Sequence, residues 1–378
     1  MPFFLGRKKV LLYAQDGIGL GHLRRLSRIA ESLQTTYSTL LVSGKREVSW
    51  IVPDKCEYIH IPSWSSLGLG LLAKNTQKWL DIDQKSAISL VRSFCEAIER
   101  IYKPDCIIVD HTLGGMFGEL HELIIRSSAR KYMIMRGITD TEDIRRFEQQ
   151  DPAILNAFDR ILVTCDSRTS DFRKEDSRIP SFVPKTKHVG YVLPKKVDAT
   201  LIREQNAIAQ DQLWIVCSAG GGTNAEVFLN HCIEIAPHFK NVFFDVVLGP
   251  YSKLNPDAYT NVGNCRVRKV VEDLPEIHSA CDVAVLNGGY NSLFESISGG
   301  ARILVFPNQT NSEGDQITHS RRLAQYYPIT ILDSVTSLKS QLGVELQALE
   351  HDKLYKFALD CSGLENIKKI IDADLRVI

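Results

Sequence analysis

Apolar residues in this chain come in short runs that alternate with stretches in which they recur every three or four positions. Val10-Leu-Leu-Tyr-Ala14 is one such run, and after a glycine-rich turn Leu23, Leu26, Ile29, Ala30 and Leu33 follow at helical spacing. The pattern predicts strand, loop, helix. It recurs with strands over 38–43, 106–110, 132–135 and 160–164 and an amphipathic helix over 86–102. Strands that alternate with helices imply parallel pairing, because a parallel connection needs a crossover and the crossover is usually helical. The first half is therefore expected to be a doubly wound sheet.

The alternation breaks over residues 181–211, where Pro184, Gly190 and Pro194 precede a polar stretch from Lys195 to Asp211. It restarts with strands expected at 213–218, 242–248, 282–286 and 303–306 and ends in helical text to about Ile371. This predicts an α/β chain of two Rossmann-like domains: 1–190, a linker over 191–211, and 212–378, with the last helix able to cross back to the first domain. The length of 378 residues suits two domains of ordinary size.

Composition adds mainly exclusions. Lys+Arg and Asp+Glu both total 45, so no overall field draws the protein to nucleic acid or anionic lipid, and no nucleic-acid partner is expected. The nine cysteines form no C-x-x-C pair, and several lie inside apolar runs, as Cys106 and Cys217 do. They read as reduced, buried thiols. The basic residues near the start follow a very short apolar stretch, the reverse of a secretory leader, and no run approaches the roughly 20 apolar residues of a membrane span. A cytoplasmic protein is expected, with contact at the inner face of the membrane left open.

In doubly wound sheets ligands bind beyond the carboxyl ends of the strands, so the loops there are where chemistry is sought. The first is Asp16-Gly-Ile-Gly-Leu-Gly-His22, between strand and helix. Glycine-rich turns of this kind also bind dinucleotides, but the acidic residue expected about 20 positions on is not evident, and His22 stands at the helix start. A histidine there can act as a base or bond a substrate hydroxyl. It can also be a solvated capping residue. The second loop, Ser218-Ala-Gly-Gly-Gly-Thr223, offers consecutive amides and a hydroxyl to a phosphate; it lacks the lysine of a P-loop, and a tight turn without ligand is the alternative.

The third segment is the most specific: Asn287-Gly-Gly-Tyr-Asn-Ser-Leu-Phe-Glu295, followed by Glu313-Gly-Asp-Gln316. Asn291 or Ser292 is placed to cap a helix, and Glu295 one turn further in suits the two hydroxyls of a ribose. The bland alternative for Glu295 is an acidic residue near a helix N-terminus. Asp315 and Gln316 could bind sugar hydroxyls. No Asp-x-Asp metal-binding pair stands in these three loops, so neither metal nor cofactor is expected and the leaving charge falls to amides and helix N-termini.

These segments, taken in order with Asp273-Leu-Pro-Glu-Ile-His-Ser-Ala-Cys-Asp282, resemble MurG-like glycosyltransferases. More closely, Pro104-Asp-Cys-Ile-Ile-Val-Asp-His111, Arg136-Gly-Ile-Thr-Asp140, Asp159-Arg-Ile-Leu-Val163 and Val189-Gly-Tyr191 look like bacterial predicted glycosyltransferases related to MurG. The resemblance covers most of the chain. It implies the GT-B fold, two Rossmann-like domains facing a central cleft, and metal-independent, inverting transfer of a sugar from a nucleotide diphosphate donor, expected to be a UDP-sugar, to a hydroxyl or amine. The acceptor would be a small molecule or lipid-linked.

Carried over residue by residue, the resemblance puts Glu295 on the ribose, Gly288 and Gly289 at the diphosphate, and Gly221, Gly222 and Thr223 on the phosphates. Val271 and Leu274 would lie beside the nucleobase, Asp315 and Gln316 at the donor sugar, and Gly21 and Arg24 near the diphosphate. Asn291 and Ser292 complete that loop. His22 is the first candidate base, with Asp110 or His111 as alternatives, and Gly19, His111 and Arg136 stand on the acceptor side. Where the family's loop often continues from histidine toward proline, Leu23-Arg-Arg25 follows here, so Arg24 and Arg25 add positive charge. Trp64-Ser-Ser-Leu-Gly-Leu-Gly-Leu-Leu72 is an apolar segment suited to a membrane face or to closing over the acceptor. Nucleotide-sugar hydrolases and 2-epimerases share the fold, and a non-enzymatic nucleotide-sugar sensor would use the same glycine loops.

Overall fold

The structure is a computed structural model; it describes all residues except 1–5, 15–18, 47, 70–78, 138–151, 172–182, 223–224, 261, 307–313, 352–357 and 377–378. The chain divides into two compact units, Met1–Val192 with Asp360–Ile378, and Leu193–Leu359.

In the first unit the chain runs β1 (Lys9–Ala14), α1 (Gly21–Leu33), β2 (Ser38–Ser43), β3 (Cys56–His60), α2 (Gln84–Tyr102), β4 (Cys106–Asp110), α3 (His121–Arg126), β5 (Arg130–Met135), α4 (Pro152–Ala157), β6 (Arg160–Val163) and β7 (Thr186–His188). The strands form a seven-stranded sheet in the order β3-β2-β1-β4-β5-β6-β7, and each neighbouring pair is parallel. Apolar residues of β1 and β4 need cover on both faces, and α1 supplies part of it: Leu23, Leu26 and Ile29 pack into the same core as Val10, Leu12 and Ile108. The Asp83 carboxylate caps α2 by accepting the Ser86 amide at 2.9 Å, and Lys103, left-handed at φ 52°, ends the helix just before Pro104.

The second unit repeats the scheme with α5 (Ala199–Gln205), β8 (Leu213–Ser218), α6 (Glu226–Ile235), β9 (Val242–Val247), β10 (Cys265–Arg268), α7 (Leu274–Ala280), β11 (Val283–Leu286), α8 (Tyr290–Gly299), β12 (Arg302–Val305), α9 (Gly314–Leu323), β13 (Ile329–Ile331) and α10 (Leu338–His351). Its six strands are parallel in the order β10-β9-β8-β11-β12-β13. In both sheets the strand order reverses beside the first strand, at β1/β4 and at β8/β11. Each reversal leaves a crevice at the strands' carboxyl ends, the place where open α/β sheets take ligands.

One element differs from the sequence reading. Part of the polar stretch 191–211 is helical: Asp198 caps α5 by accepting the Thr200 amide, and α5 buries Ile202 together with Arg203. Arg203 is tolerated there because its guanidinium donates to the carbonyls of Ala280, Ala209 and Gln212 and pairs with Asp282 at 3.2 Å. The final helix, α11 (Gly363–Leu375), lies in the first unit, where Ile367, Ile370, Ile371 and Leu375 join the core. Asp374 fixes it by accepting from Arg160 Nε and Nη2, at 2.8 and 2.9 Å, and from the Tyr132 hydroxyl. Among the described residues no helix is long and apolar enough to cross a membrane.

Candidate functional site

In the first unit the crevice between β1 and β4 holds a compact ionic cluster. His22 stands on the first turn of α1, just beyond β1, and Asp110 is the last residue of β4. Parallel register sets Tyr13 opposite Val109, which brings residues 88 apart in sequence to the same rim. Asp110 is wholly buried; its Oδ2 lies 2.5 Å from His22 Nδ1, and Arg25 Nε and Nη2 donate to its two oxygens at 2.9 Å each. Burial alone would raise this carboxyl, but the Arg25 guanidinium, then His22 and its hydrogen bond, outweigh that and hold it below the usual carboxylate range.

An ionised Asp110 only accepts, so His22 Nδ1 must carry a proton and donate it, and in the neutral ring Nε2 then keeps its lone pair. Nε2 has no partner among the described residues, and the side chain is 24% exposed. This is the arrangement of an oriented general base: a carboxylate fixes the tautomer and stabilises the imidazolium that forms.

Arg25 is the residue the sequence reading did not place. Sequence alone groups it with Arg24 as positive charge for a diphosphate, whereas it is buried and its Nε and Nη2 both donate to Asp110. The i, i+3 spacing of His22 and Arg25, which sets both on one helix face, was the available signal. Arg24 lies instead with its guanidinium 4.8 Å from the centre of the Trp50 ring.

His111 sits beside the pair, its ring centre 5.2 Å from that of His22. Its backbone is left-handed at φ 69°, an uncommon conformation for a residue with a Cβ and a form of local strain found at functional sites. Burial, followed by the charges of His22 and Arg136, pushes its pKa well below 6.5, so it stays neutral and can only exchange hydrogen bonds. A pH effect follows. As pH falls through about 6.5 the unfolded chain takes up a proton that folded His111 refuses, so stability is full above that pH and drops below it by about 1.4 kcal/mol per unit until the folded pKa is reached. Melting curves at pH 7.5 and 5.5 should show this loss in the wild type and a smaller one in His111→Asn, since asparagine tolerates the left-handed backbone; equal losses would remove His111 as the cause. Gly19 and Arg136 frame the same rim, while Asp16–Ile18, residues 70–72 and Ile138–Asp140 lie outside the described residues.

In the second unit the loops after β8 and β11 meet the corresponding crevice. Gly222, at φ 82°, is required by packing: an added Cβ would lie 2.1 Å from the Leu248 carbonyl oxygen. This accounts for one glycine that the sequence reading gave to a ligand. The Gly221 amide has no partner among the described residues and remains open to an anion. Thr223 lies outside the described residues, as does the side chain of Asp315.

Beyond β11, Gly288 packs so closely that a Cβ would sit 3.0 Å from Val305 Cγ1 and 3.1 Å from Ser320 Oγ, with Gln316 Cβ at 3.7 Å. Gly289 precedes α8 in open space, and no side chain caps that helix, although Asn291 and Ser292 were placed in sequence to do so. Three buried polar atoms here, Asn287 Oδ1, Gln316 Oε1 and Ser320 Oγ, have no hydrogen-bond partner among the described residues. Buried groups of this kind are seldom left unsatisfied, and their gathering about Gly288 and the uncapped helix suits a polar ligand. Glu295 lies on the same helix, 3% exposed. Tyr290 and His319 stack 5.3 Å apart beside it and bind α8 to α9. Val271 is buried after β10, and Leu274 opens α7.

The Asp-x-Asp triplets present elsewhere are structural. Asp83 caps α2, and Asp372 and Asp374 bond Tyr37 and Arg160. Among the described residues no group of three or more acidic, histidine or cysteine side chains is arranged to hold a metal.

Residues 206–372 match the glycosyltransferase family 28 C-terminal domain. An uncharacterized glycosyltransferase of Methanosarcina acetivorans is 20% identical over 298 residues, 73% of this chain and 74% of that protein. Arabidopsis thaliana UGT89C1 complexed with UDP superposes with a TM-score of 0.60 at 12% identity, over 97% of this chain and 99% of that one. Spinosyn rhamnosyltransferase SpnG complexed with thymidine diphosphate gives 0.59 at 14% identity, over 98% and 96%. The structural likeness carries the fold, two parallel-sheet Rossmann-like domains of GT-B type. The domain match carries the class, and the chain is a glycosyltransferase.

Proposed function

We propose that this enzyme transfers a sugar from a nucleoside diphosphate donor, UDP-sugar being the first candidate, to a hydroxyl or amine acceptor, with His22 as the base. The observation that carries the reading is the His22–Asp110–Arg25 cluster, in which a buried ionised carboxylate fixes one imidazole nitrogen as donor and leaves the other free. His22 Nε2 takes the acceptor proton as the acceptor oxygen or nitrogen bonds to the anomeric carbon. The bond from that carbon to the diphosphate oxygen breaks, and the nucleoside diphosphate leaves with the electron pair. One displacement inverts the anomeric centre. Within the class, the order of the Gly-x-Gly-His loop, the triple glycine and the Asn287-to-Gln316 segment favours the MurG-like enzymes, whose acceptors include lipid-linked ones.

The second unit is assigned the donor. Gly221 and the uncapped start of α8 at Gly289 offer amides to the phosphates, a preorganised field worth several kcal/mol at a leaving diphosphate, and no metal or cofactor has a part in this scheme. Glu295 is assigned the ribose hydroxyls and Gln316 the sugar. UDP at about 100 times its dissociation constant should stabilise the protein by about 2.7 kcal/mol in a thermal-shift measurement, and Glu295→Ala should remove most of the shift. If neither UDP nor any other nucleoside diphosphate raises the melting temperature, the donor assignment fails.

A further inference from the structure

Among the described residues of the second unit, one exposed aromatic ring stands beside the triple-glycine loop. Tyr251 follows β9 and is 41% exposed. The turn that carries it is held rigidly against the triple-glycine loop: the Tyr251 amide donates to the Gly221 carbonyl at 2.9 Å, Gly249 approaches the Gly220 and Gly221 backbone so closely that a Cβ would lie 2.6 Å from it, and Gly222 abuts Leu248. A Cβ on Gly221 would meet Tyr251 Cδ2 at 3.2 Å and Cε2 at 3.7 Å, so the ring lies alongside the residue whose amide is open. The hydroxyl has no partner among the described residues.

The parallel sheet puts the loops at its carboxyl edge in a fixed sequence. From β12 toward β10 they carry Gln316, Gly288 and Gly289, Gly221, Tyr251 and Val271. Under the reading above, that row runs sugar, diphosphate, phosphate, then base. Tyr251 stands in the loop between the phosphate amides and the base edge. We propose that Tyr251 is the stacking face for the nucleoside of the donor, setting affinity for a base-bearing ligand rather than for its phosphates. An aromatic face suits this role because every base presents a π-face, and such stacking contributes measurably to nucleotide binding. The proposal rests on the donor assignment and adds to it the group that meets the base.

The test is calorimetric titration of the full-length wild type, Tyr251→Ala, Tyr251→Phe and Glu295→Ala with UDP and with inorganic pyrophosphate, which has no base. Tyr251→Ala is expected to weaken UDP about tenfold or more and to leave pyrophosphate within about twofold, while Tyr251→Phe, which keeps the ring, binds both like the wild type. If Glu295→Ala loses UDP but Tyr251→Ala does not, the donor site stands and the stacking role is overturned. If Tyr251→Ala weakens pyrophosphate equally, the ring acts by shaping the glycine loop and the proposal is again overturned. A wild type that binds neither UDP nor any other nucleoside diphosphate overturns both readings together.

Discussion

Replacing His22 with alanine is expected to lower turnover by about 10²–10⁴-fold, the usual contribution of a positioned general base, while leaving donor affinity within about twofold. The two effects separate because His22 belongs to the first unit and the glycine loops after β8 and β11, Glu295 and Tyr251 to the second. Release of UDP from UDP-sugar, followed with saturating donor, measures the first, and UDP titration the second. The histidine is partly exposed and packs only at the rim, so its removal should cost little stability. A variant that releases UDP at the wild-type rate would remove His22 from the chemistry and turn attention to Asp110 or His111.

Asp110→Ala should have the largest effect on stability. The carboxylate is fully buried, and the Arg25 side chain that faces it is 4% exposed, so deleting the anion leaves a buried guanidinium without its counter-charge. Breaking such a pair from one side costs about 3–5 kcal/mol. At about 2–4 °C per kcal/mol for a domain of this size, the melting temperature should fall by roughly 6–20 °C. The paired change Asp110→Leu with Arg25→Met should recover much of that loss, because two apolar side chains can replace a buried ion pair at little cost, but it should not recover turnover, since nothing then fixes the His22 tautomer. Recovery of both would mean that the cluster is only a core feature. A single Asp110→Ala variant that melts like the wild type would mean that the pair is well solvated.

The stepwise alternation of strand and helix was legible because its strands are buried on both faces and therefore apolar over most of their length, as at β1, β4 and β8. The strands β3 and β10 escaped notice for the converse reason. Only Cys56 of β3 and Cys265 of β10 are buried, so neither shows a continuous apolar run. The helix α5 was hidden in polar text, since a buried arginine satisfied by carbonyls looks like a solvated residue in sequence. His22 was legible from its place at the end of a glycine-rich turn. Its partnership with Asp110 was not, because no spacing in the chain encodes which strands become neighbours; only the order β2-β1-β4 brings the two together. Arg25 shows a related gap, in that the sequence gives a charge but not the direction in which the helix points it. Gly222 shows a second reason for a glycine that sequence does not display, the close approach of a neighbouring carbonyl.

The return of α11 to the first unit has a consequence for how the protein comes into being. A ribosome makes residues 1–192 first, yet the hydrophobic face that Ile367, Ile370 and Ile371 cover stays bare until the second unit has been synthesised in full. The second unit is continuous in sequence and has every segment it needs before the first does. Order of synthesis and order of completion are therefore opposed: the half that carries His22 is begun first and closed last, and until then its nascent form presents an apolar groove for chaperones to shield.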